Sequence, residues 1–323
     1  MYSMIVKKYG SPNVLAYTTL KDRPVPSKYV KISVVGAGVN FADILTIKGR
    51  YQERPRPPFS PGLEVSGIID ELGDEVKEFS IGEKVMAIMK YGGYQQQVIV
   101  PSENTYKIPN NMPLLTAGGF PVIYGTAYSA LITKAEIKKG ETCLILGATG
   151  GVGLAAVEIA SAYGAKVIAC GGDDKKLKAC INKGASHIIN YRRDILRTQL
   201  IKKNIGELDV VVDMIGGQAT IDALKSLSWN GRLIIVGFAT GKIPDIPANR
   251  LLLKNAKADG LYWGEFAYRK PKEIQKDFIQ LATLYSSNKI RPEIHKLFNL
   301  SEASEALNYL STRQNIGKIV LKC

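Results

Sequence analysis

Histidine and cysteine are scarce. The 323 residues include two histidines, His187 and His295, and four cysteines, Cys143, Cys170, Cys180 and Cys323. No C-x-x-C pair, H-E-x-x-H or Cys/His cluster occurs, so a conventional zinc site lacks ligands and no metal is expected. The cysteines are too dispersed for a disulfide framework. No apolar run reaches the ~20 residues of a bilayer-spanning helix. The opening Met4-Ile5-Val6-Lys7 is strand-like and carries no signal-peptide core, which predicts a cytoplasmic protein. There is no G-x-S-x-G elbow for nucleophilic hydrolysis, and no internal repeat.

What is present fits an ordinary globular chain. Hydrophobic residues make up 46% and charged residues 22%, near the average for folded soluble domains. A chain of this length outgrows a single core, so about two domains are expected. The 43 basic against 29 acidic residues give +14 and a pI near 9.4. That excess raises RNA or another polyanion as a partner, but no aromatic-basic RNA platform is visible.

Two patterns divide the chain. Between Ile32 and Val100, short alternating runs such as Val65-Ser66-Gly67-Ile68-Ile69 are bounded by Gly73, Gly82 and Gly92-Gly93, which predicts an antiparallel, barrel-like β domain. Pro55, Pro57, Pro58 and Pro61 mark an exposed loop within it. After Thr126, strand and helix alternate: strand Thr142 to Leu146, helix Val152 to Tyr163, strand Lys166 to Cys170, helix Lys175 to Asn182, then strands Asp209 to Asp213 and Leu233 to Val236. Such alternation predicts a doubly wound parallel sheet covered on both faces. A helix from Pro271 to Ser286 and a final strand within Gly317 to Leu321 follow, the strand rejoining the first domain. The expected α/β division is 1–122 with 289–323 for the substrate domain and 123–288 for the dinucleotide domain.

Gly147-Ala148-Thr149-Gly150-Gly151-Val152-Gly153 joins the first strand of the alternating half to its helix. Glycines here permit a sharp turn and close approach of a pyrophosphate to the helix N-terminus, although Ala148 stands where the usual fingerprint has its first glycine. An acid about 20 residues on would bind a ribose 2'-hydroxyl, but Cys170-Gly171-Gly172 offers none. Asp173 and Asp174 come slightly later and can cap the next helix instead. From Lys166 to Lys203 there are ten Lys/Arg against three Asp, a positive field suited to a 2'-phosphate. NADPH is therefore the predicted cofactor.

Many short motifs occur in one order: Gly38-Val39-Asn40-Phe41-Ala42-Asp43, Gly49-Arg50-Tyr51, Pro58-Phe59-Ser60-Pro61-Gly62-Leu63-Glu64, Gly92-Gly93-Tyr94, Thr126-Ala127-Tyr128, Gly147 to Gly153, Ile189-Asn190-Tyr191, Gly237-Phe238 and Asn315-Ile316-Gly317-Lys318. Together they resemble the zinc-free quinone oxidoreductase, or zeta-crystallin-like, branch of the medium-chain dehydrogenase/reductase superfamily over essentially the whole chain. The resemblance implies a Rossmann domain plus a GroES-like substrate domain completed by the C-terminus. Asn40 and Leu63 stand where zinc alcohol dehydrogenases carry a Cys and a His, and Met89 to Gln97 lacks the structural-zinc cysteines.

The same resemblance implies residue roles. Gly150, Gly151, Val152 and Gly153 would hold the pyrophosphate; Gly172, Lys176 and Tyr191 would surround the 2'-phosphate; Gly237 and Phe238, with Thr126, would line the nicotinamide side. Asn40 and Asn315 complete the expected cofactor set, and Asn40, Asp43 and Tyr51 the substrate pocket. The implied activity is hydride transfer from NADPH to a quinone, with an enone or enoyl-thioester acceptor as the alternative and a homodimer as the form. A polyanion-binding protein with a vestigial cofactor site is the reading from another class.

Overall fold

The computed structural model describes residues 1–323. They form two compact units: Met1–Val122 with Ala267–Ala282 and Pro292–Cys323, and Ile123–Phe266 with Thr283–Arg291. No helix is long and apolar enough to cross a membrane.

The first unit carries β1 (Tyr2–Val6), β2 (Leu15–Thr19), β3 (Tyr29–Val39), β4 (Glu64–Leu72), β5 (Lys84–Ile88), β6 (Gln97–Pro101) and β7 (Thr105–Lys107). β1 and β2 pair antiparallel as a separate ribbon. β3 is the long central strand, hydrogen-bonded antiparallel to β4 along one edge and to β6. Its Val30, Ile32 and Ala37 are wholly buried, as are Val65 of β4 and Val85 of β5. Each such aliphatic side chain contributes roughly 1.5–3 kcal/mol through burial, which fixes the register that aims the site residues.

In the second unit, β8 (Thr142–Leu146), β9 (Lys166–Gly171), β10 (His187–Asn190), β11 (Leu208–Asp213), β12 (Leu227–Ile235) and β13 (Lys257–Gly260) form one sheet in the order β10-β9-β8-β11-β12-β13. Every pair is parallel. The near-continuous apolar character of β8 and β9 reflects burial on both faces. The strand order reverses between β8 and β11, and ligands of open α/β sheets bind outside the carboxyl ends of the strands at such a reversal.

The chain then returns to the first unit with β14 (Ile294–Asn299) and β15 (Lys318–Lys322), the latter antiparallel to β3. The seven-stranded sheet of that unit runs β14-β15-β3-β4-β5-β7, with β6 also on β3. The expected Rossmann and GroES-like architecture is thus present. Two segments differ from the expected division, the shorter being residues 289–291, which lie in the second unit. Ala267–Ala282, placed within 123–288 by the sequence pattern, belongs to the first unit. Phe278 stacks on Tyr106 there at 3.9 Å between centroids, an aromatic contact that strand-helix periodicity does not encode.

Candidate active site

The glycine turn closes β8 onto the helix Gly151–Ala162. Gly147 and Ala148 donate their N–H groups to Cys170 O, anchoring the turn to β9. Gly150 is the N-cap and has no side chain to satisfy the first helical amides, which stay available to an anion. A Cβ on Gly153 would lie 2.1 Å from Gly147 O, so the close crossing of turn and helix admits only glycine.

At the end of β9, Gly172 lies beneath two side chains. A Cβ there would meet Arg192 Nε at 2.9 Å and Tyr191 OH at 3.0 Å. Asp173 does not reach toward a ribose: it caps the helix Asp174–Asn182, accepting from the amides of Lys175 and Lys176. Partial burial holds the Lys176 ammonium below the usual lysine range. Arg192 and Tyr191 thus stand over Gly172 while the Asp173 carboxylate is taken up by the helix cap, a donor set that fits a 2'-phosphate.

The end of β11 holds a residue that the sequence reading passed over. Asp213 is fully buried and accepts hydrogen bonds from Ile215 N, Gly216 N and Thr220 Oγ1. Burial raises its carboxyl above the usual range, against the opposing pull of these donors. Gly237 N and Ala239 N in turn bond to the carbonyls of Asp213 and Met214. This lacing fixes the two loops that carry Gly216, Gly237 and Phe238 beside the sheet reversal. Thr126, in the same unit, is buried on the helix Pro121–Tyr128.

Asn40, Asp43, Tyr51 and Asn315 lie in the first unit. Asn40 ends β3 and caps the helix Phe41–Ile47, with Asp43 Oδ2 accepting the Asn40 amide at 2.8 Å. Tyr94 OH donates to the same oxygen at 2.8 Å. Asp43 Oδ1 is buried without a partner, and burial pushes the Asp43 carboxyl up to about 7, opposed by the two donors and by Lys318. The Asn40 side chain is held at both ends. Lys318 Nζ donates to Oδ1 at 2.6 Å, while Nδ2 donates to Glu64 Oε1 at 2.9 Å and to Gly38 O at 3.3 Å. Lys318 also pairs with Glu64 at 2.5 Å, with side chains 3% and 0% exposed. Glu64 Oε2 accepts Val122 N at 2.8 Å.

Tyr51 is half-buried in the loop after that helix, where its carbonyl accepts Arg54 Nε at 3.2 Å. Asn315 Nδ2 donates to Gly317 O at 2.9 Å, bracing the turn that delivers Lys318.

Comparison with known proteins agrees with this layout. Residues 26–110 match the alcohol dehydrogenase GroES-like domain and residues 151–284 the zinc-binding dehydrogenase family. The chain is 37% identical over 309 residues to quinone oxidoreductase-like protein 2 of Mus musculus, covering 95% of this chain and 88% of that protein. It is 32% identical over 326 residues to the quinone oxidoreductase of Lama guanicoe, covering 99% and 97%. The chain belongs to the quinone oxidoreductase branch of the medium-chain dehydrogenase/reductase superfamily. A mycobacterial relative solved as a complex with NADPH superposes with a TM-score of 0.91 at 25% identity, covering 100% of each chain.

The name of one matched family implies zinc, and this branch member's residues do not fit that ion. Leu63 offers no donor atom, and Asn40 Oδ1 already faces the Lys318 ammonium, which would repel a cation. Glu64 is neutralised by the same lysine. The NADPH group fits: the uncapped helix start, the loops laced to Asp213 and the Arg192 and Tyr191 side chains over Gly172 answer its pyrophosphate, nicotinamide and 2'-phosphate in turn.

Lys318, Glu64 and Tyr94 appear in the sequence only as members of short motifs. The one available sign was a lysine flanked by Gly317 and the apolar Ile319-Val320-Leu321, a position where an unpaired ammonium is costly to bury.

Proposed function

We propose that this protein is a zinc-independent NADPH:quinone reductase acting on a small-molecule acceptor. Support for the cofactor comes from Arg192 and Tyr191 standing over Gly172 and from the mycobacterial relative solved with NADPH. When bound, NADPH supplies the hydride. The protein's part is to bind and orient: the amides of Gly151, Val152 and Gly153 take the pyrophosphate, and the loops around Gly237 and Phe238 hold the ring side. A quinone taking up that hydride would need one further proton to become the hydroquinone, and the Tyr51 hydroxyl would relay it from solvent.

The observation that carries the choice of acceptor is the engaged Asn40 amide. An enone gains from a donor at its carbonyl oxygen, where negative charge develops, whereas a quinone gains aromaticity and needs less help. Both Nδ2 hydrogens of Asn40 are directed to Glu64 and Gly38. Turning the amide over would set its NH2 against the Lys318 ammonium, so this orientation is fixed by charge. The expected pocket thereby loses Asn40 as a donor to an acceptor oxygen, and that favours quinones. A panel of quinones, enals and enoyl thioesters with both nicotinamides tests the reading. Rapid NADPH-dependent quinone turnover is expected. Turnover of enals or thioesters with every quinone inert would replace it by enone reduction.

A further inference from the structure

The loop that carries Tyr51 is unusually basic and unusually short of partners. Lys48, Arg50, Arg54 and Arg56 stand within nine residues and are exposed, and the single acid among them, Glu53, is held by Lys90 at 2.8 Å. Lys7 and Lys8, also exposed, join them. Val6 pairs with Phe59, and Tyr9 OH donates to Pro55 O at 2.9 Å, between Arg54 and Arg56. None of these six cations makes an ion pair, and the one side-chain hydrogen bond among them is that of Arg54 Nε to Tyr51 O. Elsewhere in the same unit carboxylates do find lysines: the exposed Asp22 and Glu71 flank Lys31, and the half-buried Glu83 meets Lys107.

The loop is built rather than loose. Gly49, at φ +64°, sits under the Tyr9 ring, where a Cβ would lie 3.1 Å from Cγ. Phe59 packs against both Tyr9 and Tyr91, at 6.3 and 6.2 Å between centroids. Like charges held together repel one another, and a fixed group of them forms a field that attracts anions and raises their local concentration. Arginine adds a planar fork matched to carboxylate, sulfonate or phosphate oxygens.

We infer that the electron acceptor bears an anionic group, carboxylate, sulfonate or phosphate, which the arginines of the Tyr51 loop recognise. This rests on the reading of Tyr51 as an acceptor-pocket residue. Two sources share the chemistry: a quinone with an acidic substituent, or an unsaturated thioester with a phosphate-bearing handle.

Matched pairs separate them. The kcat/KM ratio of 1,2-naphthoquinone-4-sulfonate to 1,2-naphthoquinone is measured beside the ratio of crotonyl-coenzyme A to its N-acetylcysteamine thioester. Each is taken in the wild type, in Arg50→Gln/Arg56→Gln and in Lys138→Gln/Lys139→Gln, which removes the same charge from the other unit. Arg54 is left in place because its bond to the Tyr51 carbonyl would confuse the result. For whichever pair is turned over, the anionic member's ratio should fall about tenfold in the arginine variant and not in the lysine variant. It should also fall as salt rises from about 0.02 to about 0.3 M.

A ratio unmoved by the arginine changes overturns the inference while leaving quinone reduction standing. If no quinone is reduced but the thioester pair is, with the expected ratio change, the quinone reading fails and the inference holds. Should neither pair turn over, equilibrium binding of naphthalene-2-sulfonate against 2-naphthol in the same variants decides it, equal affinities counting against. Tight binding of a single-stranded RNA lost in the arginine variant, with no preference in either pair, would assign the patch to nucleic acid instead.

Discussion

Lys318 donates to Asn40 Oδ1 at 2.6 Å across 278 residues of sequence. That contact ties the last strand to Asn40, because the position of the ammonium decides which end of the Asn40 amide faces Glu64. β15 is held against β3 by the pairing of Ile319 with Val39, so the lysine arrives beside the end of the strand that Asn40 terminates. Register therefore sets charge placement, and charge placement sets the orientation of the Asn40 amide.

Removing that ammonium should be costly. Lys318→Met leaves the buried Glu64 carboxylate without its counter-ion, a change worth about 3–5 kcal/mol of stability where a buried pair is broken. Adding Glu64→Gln should recover more than half of the loss, since a neutral amide oxygen can still accept Val122 N. Urea unfolding of the two variants checks this. A double variant no more stable than Lys318→Met alone would mean that the lysine acts by packing.

The architecture was largely legible in the sequence because strand and helix periods differ and each was clear. β8 and the helix Pro271–Ser286 have the expected bounds. The glycine turn could be placed for the same reason. What could not be read were contacts that pair distant residues. Glu64, Tyr94 and Lys318 meet Asn40 or Asp43 only after three strands align, and Asp213 gains its role from loop amides that no side-chain pattern announces. Arg192 is, with Lys176, one of the two basic residues of this stretch that the sequence sets apart as candidates for the phosphate. Its distinction is the approach to Gly172, which depends on the turn after β10.

Asp43 should make stability depend on pH. Its carboxyl ordinarily titrates near 3.8 and is raised to about 7 in the fold, chiefly by burial. Below pH ~4 both states are protonated; between pH ~4 and ~7 the unfolded chain releases its proton while the folded chain retains it, so stability falls as pH rises. Asp43→Asn carries no such titration. The wild type should lose stability relative to this variant across that window, with a ceiling of about 4 kcal/mol. Parallel pH–stability curves for the two proteins would remove the buried carboxyl as the cause.

Cofactor choice should turn on the Gly172 pocket. Lys176→Ala and Arg192→Gln should each weaken NADPH by roughly 1.5–3 kcal/mol, as loss of a charge-assisted hydrogen bond does, with little change for NADH. Gly172→Asp should go further, placing a carboxylate beside Arg192 and Tyr191 where it repels the 2'-phosphate and can accept from a ribose hydroxyl. Fluorescence titration with both nucleotides provides the comparison. Equal losses for the two would move the 2'-phosphate elsewhere.

Chelation should change neither turnover nor thermal stability, because Leu63 and the lysine-bound Asn40 offer zinc no pair of ligands. Purified active protein holding stoichiometric zinc, inactivated when the metal is stripped, would count decisively against this.

The Tyr51 hydroxyl distinguishes the two acceptor chemistries. With Asn40 engaged, a reductase that needed an oxyanion donor from the expected pocket residues would depend on Tyr51, and losing it should cost about 2.7–4 kcal/mol in the barrier, as removal of such a donor does elsewhere. For a quinone, Tyr51→Phe alters packing and proton relay alone, so kcat/KM should fall by less than ~1.4 kcal/mol, or tenfold. The phenyl ring keeps the half-buried position, which limits any loss from misfolding. The solvent isotope effect on quinone turnover supplies a second readout: it should change if the hydroxyl relays the proton and stay constant if Tyr51 is only a pocket wall. A wild type that is fast with enals, inert to quinones and crippled by Tyr51→Phe would reverse the assignment of the acceptor.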